Sequence, residues 1–534
     1  MTLLLLSLSG ALAQSPQGCF SYARGVPRPN VPDTLASTTR PILVHYDANY
    51  APDQAQKAAE VLEAMEHAWD VQVDQLGFRA PELPDMADGP EYDVYLIEYY
   101  QGTAFVAADN YADAIVGDGY SSTSSYMVID ARLPMNWIDL YVAHEFNHIC
   151  QWSTDFTEWT TTVWEASATN AQVWTLGAAD GRWDLDVRDF QEAAYFPALL
   201  SDSSYTYYGA GLGYLYEYGA AIWVRMLDEQ YGHNDGAKGV ELWDAMANEG
   251  FGQEPDVLDA VAEVADEPLG EVLNQLALVR FLTGDDWDDR GLADAATWVA
   301  NEAVSAQSFD ASDLPLSAEP LTPQPLVTGQ SFVDIDLSAG LSPAPKGEVP
   351  YLRVSVASAQ AHDAAIIAMW WDDAGQVGDV RTWGTDPTLE LPSEGLTRLA
   401  IGVTNLGPMG FDGDDQGHIS GILSVSVEEF SEPMVDTSDT GTTDTGTTDT
   451  GLTPTGLTPT GTTGATGDTG TPAGTTPTTN TTPSTPPTDG TSSYLTTPPS
   501  DDADDGKGCG CSSGSSSAPF ALLWVVAVAL RRRR

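Results

Sequence analysis

YVAHEFNHICQW, residues 141–152, contains a His-Glu-x-x-His in His144, Glu145 and His148. The chain has only seven histidines in 534 residues, and two of them stand four apart with a glutamate after the first. On a helix, residues i and i+4 share a face, so His144 and His148 can present their imidazoles to one metal ion. Glu145 is turned about 100° from His144, beside such an ion rather than on it. A carboxylate placed there can take a proton from an attacking water and later hand it to a leaving amine. The plainer alternative is a buried helix with two hydrogen-bonded histidines. Cys150 lies about 200° round from His148 and points away from the metal face. A disulfide with Cys19, or a buried thiol, is expected of it rather than ligation.

A hydrolytic zinc site takes three protein ligands and leaves one position open. The metzincin continuation needs Gly at 151 and His at 154; the chain has Gln151 and Thr154, which excludes that class. Three acidic candidates follow: Asp155, Glu158 and Glu165. Asp155 and Glu158 fall in STDFTEWTTT, where the helix should end, and read as solvated charges. Glu165 falls in VWEASATNAQVW (163–174), a helical segment with an apolar face. The small Ala166, Ser167 and Ala168 would let it pack closely on the first helix. A carboxylate buried there is costly without a partner, and a metal supplies one.

HEFNH followed by Glu165 in WEASAT resembles the gluzincin arrangement of zinc metalloproteases, in which a second helix carries the ligand glutamate. Gluzincins carry Gly directly after that glutamate; here it is Ala166. The run from PILVHY (41–46) through LGF, YDVYLIE and SSYMVID to AHEFNH resembles surface metalloproteases of myxobacteria-like bacteria, over about residues 40–235. The resemblance implies one catalytic Zn2+ held by His144, His148 and Glu165, with Glu145 as general base and then acid. It implies a tyrosine that steadies the oxyanion. Tyr218, in YEYGAAIWVRMLDEQYG, is the first choice, with Tyr214, Tyr216 and His233 as alternatives. It also implies that YMVID (126–130) is the edge strand along which an extended peptide pairs.

Around this centre the sequence predicts an α+β fold. A strand at 42–46 precedes a helix in which Ala55, Ala58, Leu62, Met65, Trp69, Val73 and Leu76 recur at helical steps, with Gly77 as its stop. Strands follow at 92–98 and 126–130, and the motif helix opens after Pro134 with Asn136 as cap. Helices are expected at 163–176, 211–231 and 254–282. From about residue 325 short alternating runs separated by Gly, Pro and Asp mark an all-β, jelly-roll-like sandwich. The expected parts are therefore a zincin-like mixed sheet plus helices over 20–310, and a sandwich over 325–430. A Thr/Gly/Pro/Asp-rich stalk over 434–507 has no apolar periodicity from which to build a core.

The ends carry addresses. MTLLLLSLSGALAQ reads as a secretory signal over 1–13. Residues 508–534 place Cys509 and Cys511 before an apolar run and four arginines. That run, Ala518–Leu530, makes a helix of about 20 Å, short of a bilayer core of about 30 Å. The segment resembles the sorting tags of myxobacteria-like bacteria, which implies export and retention at the outer membrane or cell surface. With 78 acidic against 21 basic residues, the net charge of −57 excludes nucleic acid as a natural partner. FDGDDQGH (411–418) and DDWDDRG (285–291) are weak Ca2+ candidates, and solvated acidic loops are the plainer reading. His45, His67, His362 and His418 stand alone and read as structural. The expected function is a monomeric, surface-held zinc metallopeptidase acting on protein or peptide. The alternative is a non-catalytic surface binding or adhesion protein whose zinc is structural or lost.

Overall fold

A computed structural model of the chain describes residues 28–84, 89–98, 104–109, 115–158, 160–177, 187–200, 216–248, 255–297, 304–411 and 421–434. The expected signal segment, Cys19, Tyr214, the stalk, the tail and most of the 411–418 loop lie outside the described residues. Within them the fold is α+β, as the sequence predicts.

The first sheet has five strands in the order β1-β2-β3-β5-β4. They are β1 (Asp33–Ala36), β2 (Ile42–Tyr46), β3 (Tyr92–Ile97), β4 (Ala104–Ala108) and β5 (Ser125–Asp130). β2, β3 and β5 run parallel, and β1 and β4 pair antiparallel at the two ends. This corrects the expectation for YMVID. β5 is an inner strand between β3 and β4, and the outer antiparallel strand is AFVAA, which the sequence reading passed over. All five of its residues are buried, so it lacks the in-out alternation by which a half-exposed strand is recognised.

Helix α1 (Gln54–Ala68) lays Ala58, Val61, Ala64 and Met65 on Ile42, Val44, Val94 and Met127 of the sheet. The predicted stop is present, with Gly77 in the left-handed region at φ 97°. The last two turns, Trp69–Leu76, are π-helical, which a 3.6-residue period cannot anticipate. The wider turn brings Gln72 inward, where its Nε2 donates to Ala143 O at 2.7 Å and to Thr175 Oγ1 at 3.0 Å. Gln72 thus braces the motif helix, α2 (Ile138–Trp152), and the next one, α3 (Thr161–Leu176), at the height of His144. Asn136 does not cap α2. It lies in a 3-10 turn, Met135–Trp137, and Trp137 holds the cap position.

The predicted 211–231 helix is seen from residue 216 as α5 (Tyr216–Gly219) and α6 (Ala221–Tyr231), after a short α4 (Val187–Glu192). α7 (Ala237–Met246) follows. The 254–282 stretch forms two helices, α8 (Val257–Ala265) and α9 (Leu269–Phe281). Asp266 stops the first in the left-handed region, and Pro268, which has no N–H to give, starts the second.

The sandwich has two sheets, β11-β10-β13-β8-β6 and β12-β9-β14-β7. Its strands are β6 (Ala306–Asp310), β7 (Leu316–Pro320), β8 (Gln330–Asp336), β9 (Glu348–Ser358), β10 (His362–Asp372), β11 (Val377–Thr385), β12 (Thr388–Pro392), β13 (Leu396–Pro408) and β14 (Leu423–Pro433). Two of these strands precede residue 325, because the turn-rich SAEPLTPQP that suggested a boundary is itself half strand. Val333, Ile335, Val354, Ile366, Ile401 and Val425 fill the space between the sheets.

α9 is buried on nearly all sides, its polar Asn274, Gln275 and Arg280 included, as a helix between two layers is. Its Ala277, Leu278 and Phe281 pack on Phe332, Ile367, Met369 and Ala400 of the outer sandwich face. A Cβ at Gly402 would meet Ile367 Cγ2 at 2.9 Å and Ala277 Cβ at 3.1 Å, so glycine there permits the close approach. Fully buried Arg280 donates from Nε to Gln191 Oε1 at 3.0 Å and lies 3.9 Å over the Phe190 ring. Burial lowers its pKa to about 10.

Candidate metal centre

His144 and His148 rise from one face of α2, and Glu165 meets them from the first turns of α3. Glu165 Oε2 lies 3.1 Å from His144 Nε2 and 3.5 Å from His148 Nε2. One ligand atom from each of the three lies within 4.8 Å of the others, and no other such group of His, Cys, Asp or Glu occurs among the described residues. Ligands about 2.0–2.1 Å from a tetrahedral centre are spaced about 3.3 Å apart. The two observed distances bracket that spacing.

The packing of α2 on α3 depends on the small residues the sequence picked out. Ser167 Oγ donates to Val163 O at 2.6 Å and accepts from Gln151 Nε2 at 2.8 Å and Trp243 Nε1 at 2.9 Å. Trp152, Trp164 and Trp243 wall the back of the site, with Trp164 5.4 Å from the Trp152 ring and 4.8 Å from that of Trp243. His144, Glu145, His148 and Glu165 are 4%, 0%, 1% and 1% exposed.

Two further contacts went unforeseen. His144 Nδ1 meets Gln172 Oε1 at 3.2 Å, and His148 Nδ1 meets Gln151 Oε1 at 2.7 Å. Gln172 follows Glu165 by two helical turns and so shares its face, which was the available signal. Amides that accept from Nδ1 leave each Nε2 with its lone pair, facing a carboxylate oxygen. A cation between them suits that arrangement, as a proton on either Nε2 does when the metal is away. Glu145 points the same way, since both of its buried oxygens lack a hydrogen-bond partner, as does Glu165 Oε1. The donor set therefore fits a metal ion.

The electrostatics follow from burial and from these pairs. Burial pushes the Glu145 carboxyl up to about 8; His148 pulls it down, while Glu165 adds to the rise. Glu165 is buried too, but its bonds to His144 and His148 outweigh burial and hold it at about 2. Burial lowers His144 despite Glu165, whereas for His148 the pull of Glu165 and Glu145 exceeds burial and the net shift is upward.

Tyr218 lies at this centre. Its ring stacks on that of His144, with centroids 5.5 Å apart at 28°. Tyr216 does not reach the centre, because its hydroxyl donates to Pro197 O at 3.0 Å inside the core. His233 is exposed beyond α6. Cys150 is a free, buried thiol, raised by burial, and faces the apolar core. Of the lone histidines, His67 meets Thr175 O at 3.0 Å and His362 meets Asn405 Oδ1 at 3.1 Å. His45 pairs with Asp93 at 2.6 Å. In DDWDDRG, Asp286 is engaged by Arg398 and Asp288 by Arg290.

Asp155 corrects the sequence reading. It is not a solvated helix-end charge but is 0% exposed, accepting from Thr157 N at 2.9 Å and Asn248 Nδ2 at 3.3 Å. The chain after α2 turns back to bridge Ser121, which buries it. Burial raises its carboxyl from 3.8 to about 7, against the hydrogen bonds from Thr157. A raised carboxyl binds its proton more tightly when folded, so its contribution is full below about pH 4 and is lost as pH rises through 7. Thermal melting across that range should therefore show a decline in the wild type that Asp155→Asn flattens.

No protein-family model and no curated protein matches the sequence. Among solved structures, the chain is similar to Legionella pneumophila aminopeptidase A in complex with aspartic acid, at 14% identity and a TM-score of 0.32. The match covers 68% of this chain and 35% of that one, so the chain spans about a third of that protein.

Proposed function

We propose that the protein is a zinc-dependent metallopeptidase of gluzincin type, exported and held at the cell surface. One observation carries the catalytic reading. Glu145 is buried beside a His-His-Glu group with both oxygens unpartnered. A purely structural metal site has no use for such a group, and burying a carboxylate for nothing is expensive. The non-catalytic adhesion reading leaves that cost unexplained.

His144, His148 and Glu165 would hold the ion. Zinc held there would supply Lewis acidity, polarising a carbonyl and making water more acidic. Glu145 takes the proton of the attacking water on its carboxylate and delivers it to the amide nitrogen as the C–N bond breaks. Tyr218, beside His144, would steady the oxyanion with its hydroxyl. The tryptophan wall and the near-zero exposure keep bulk water from the proton on Glu145. An extended peptide would pair along the outer strand β4 rather than β5.

The surface assignment rests on the signal-like N-terminus and the Cys/apolar/Arg tail. No helix among the described residues is long and apolar enough to cross a membrane. The substrate would be a protein or peptide met outside the cell.

Removing the metal tests the reading. Chelation should abolish hydrolysis of an unstructured protein such as casein, and added zinc should restore it. Zinc at about 1,000 times its dissociation constant should add about 4 kcal/mol to stability, seen as a higher melting temperature. Unchanged hydrolysis after verified removal of zinc would overturn it.

A further inference from the structure

Gln151 replaces a residue that another zinc hydrolase class requires, and by sequence it only excludes that class. In the fold its side chain is fully committed. Nε2 faces Asn147 Oδ1 at 2.7 Å, Ser167 Oγ at 2.8 Å and Trp164 O at 3.1 Å. With every nitrogen contact an acceptor, the amide has one orientation, and Oε1 is the atom turned to His148. His148 must then donate from Nδ1. Asn147 is itself fixed, since its Nδ2 donates at 3.2 Å to Oε1 of the π-turn Gln72. The chain of contacts Gln72–Asn147–Gln151–His148 runs from the π turn to the metal face. On the other side, Gln172 Oε1 meets His144 Nδ1.

We propose that Gln151 and Gln172 are a matched pair of positioning residues. They fix both histidines with the proton on Nδ1, and as amides they do so without adding a further negative charge to the buried centre. This rests on the metal reading given above. The centre already holds two buried carboxylates, and among the described residues no lysine or arginine is ion-paired with Glu145 or Glu165. A carboxylate in place of Gln172 would still accept from His144 Nδ1 and strengthen the ligand. It would also leave an uncompensated charge in a buried centre, since Gln172 itself is only 6% exposed.

Zinc affinity, read by competition with a chromogenic chelator, and melting of the metal-free protein separate the two roles. Gln172→Met keeps the volume and removes the acceptor. Folded Gln172→Met is expected to bind zinc about 10–100-fold more weakly. Gln172→Glu restores an acceptor and adds a charge, so it should bind zinc at least as tightly as wild type while its metal-free form melts lower. Wild-type zinc affinity in folded Gln172→Met would overturn the positioning role. Should Gln172→Met fail to fold, weakened zinc binding by Gln172→Glu would overturn it. An unchanged metal-free melting temperature in Gln172→Glu would overturn the role of the uncharged amide. A wild type that binds no zinc at all would instead remove the metal reading beneath both.

Discussion

Glu145→Gln should bind zinc like the wild type and hydrolyse peptide about 10²–10⁴-fold more slowly in kcat. The amide has nearly the shape of the carboxylate, so the fully buried site keeps its packing. The lost function is the proton carrier. An amide cannot take a proton from water or return it to the leaving nitrogen, and no second carboxylate is free to substitute, since Glu165 is tied to His144 and His148. Zinc content by elemental analysis and steady-state kinetics on one preparation check both halves. Equal hydrolysis by the two proteins would mean that Glu145 is not the base.

Glu165→Ala should fail in the opposite way, losing the metal first and the rate as a consequence. The expected zinc content falls from one per chain toward none, since a site of two histidines lacks the third protein ligand. The metal-free protein should also suffer. The pairing with both histidines holds the Glu165 carboxyl at about 2, well below its ordinary 4.5. Removing one partner of a buried pair costs about 3–5 kcal/mol, which metal-free melting would register. The two substitutions therefore separate ligand from base: zinc without turnover at 145, neither at 165. Glu165→Ala with full zinc content would return the third ligand to an open question.

The part of this centre that repeats along the chain was legible in sequence. His144 and His148 at i and i+4, Glu145 beside them, and a glutamate among small residues on the next helix each follow from helical spacing and the cost of a buried carboxylate. Tyr218 was placed by resemblance, and the stack on His144 puts it at the centre. What escaped depends on a facing element. Gln172 and Gln151 become meaningful only once α2 and α3 are docked. Asp155 looks like a surface charge until the following turn folds back on Ser121. AFVAA lacks alternation because both its faces are covered, and the π turn at Trp69–Leu76 shifts a helix face that periodicity assumes constant. The second strand of the sandwich, Leu316–Pro320, was hidden in a turn-rich stretch, where proline suggests a linker before it suggests an edge.

The most direct measurement is anomalous diffraction at the zinc edge from crystals of the zinc-loaded protein. The expected result is one peak about 2.0–2.2 Å from His144 Nε2, His148 Nε2 and a Glu165 oxygen. Glu145 should lie beside the ion and outside its ligand sphere. No peak at that point in protein shown to contain zinc, or a peak ligated by the two histidines without Glu165, would contradict it.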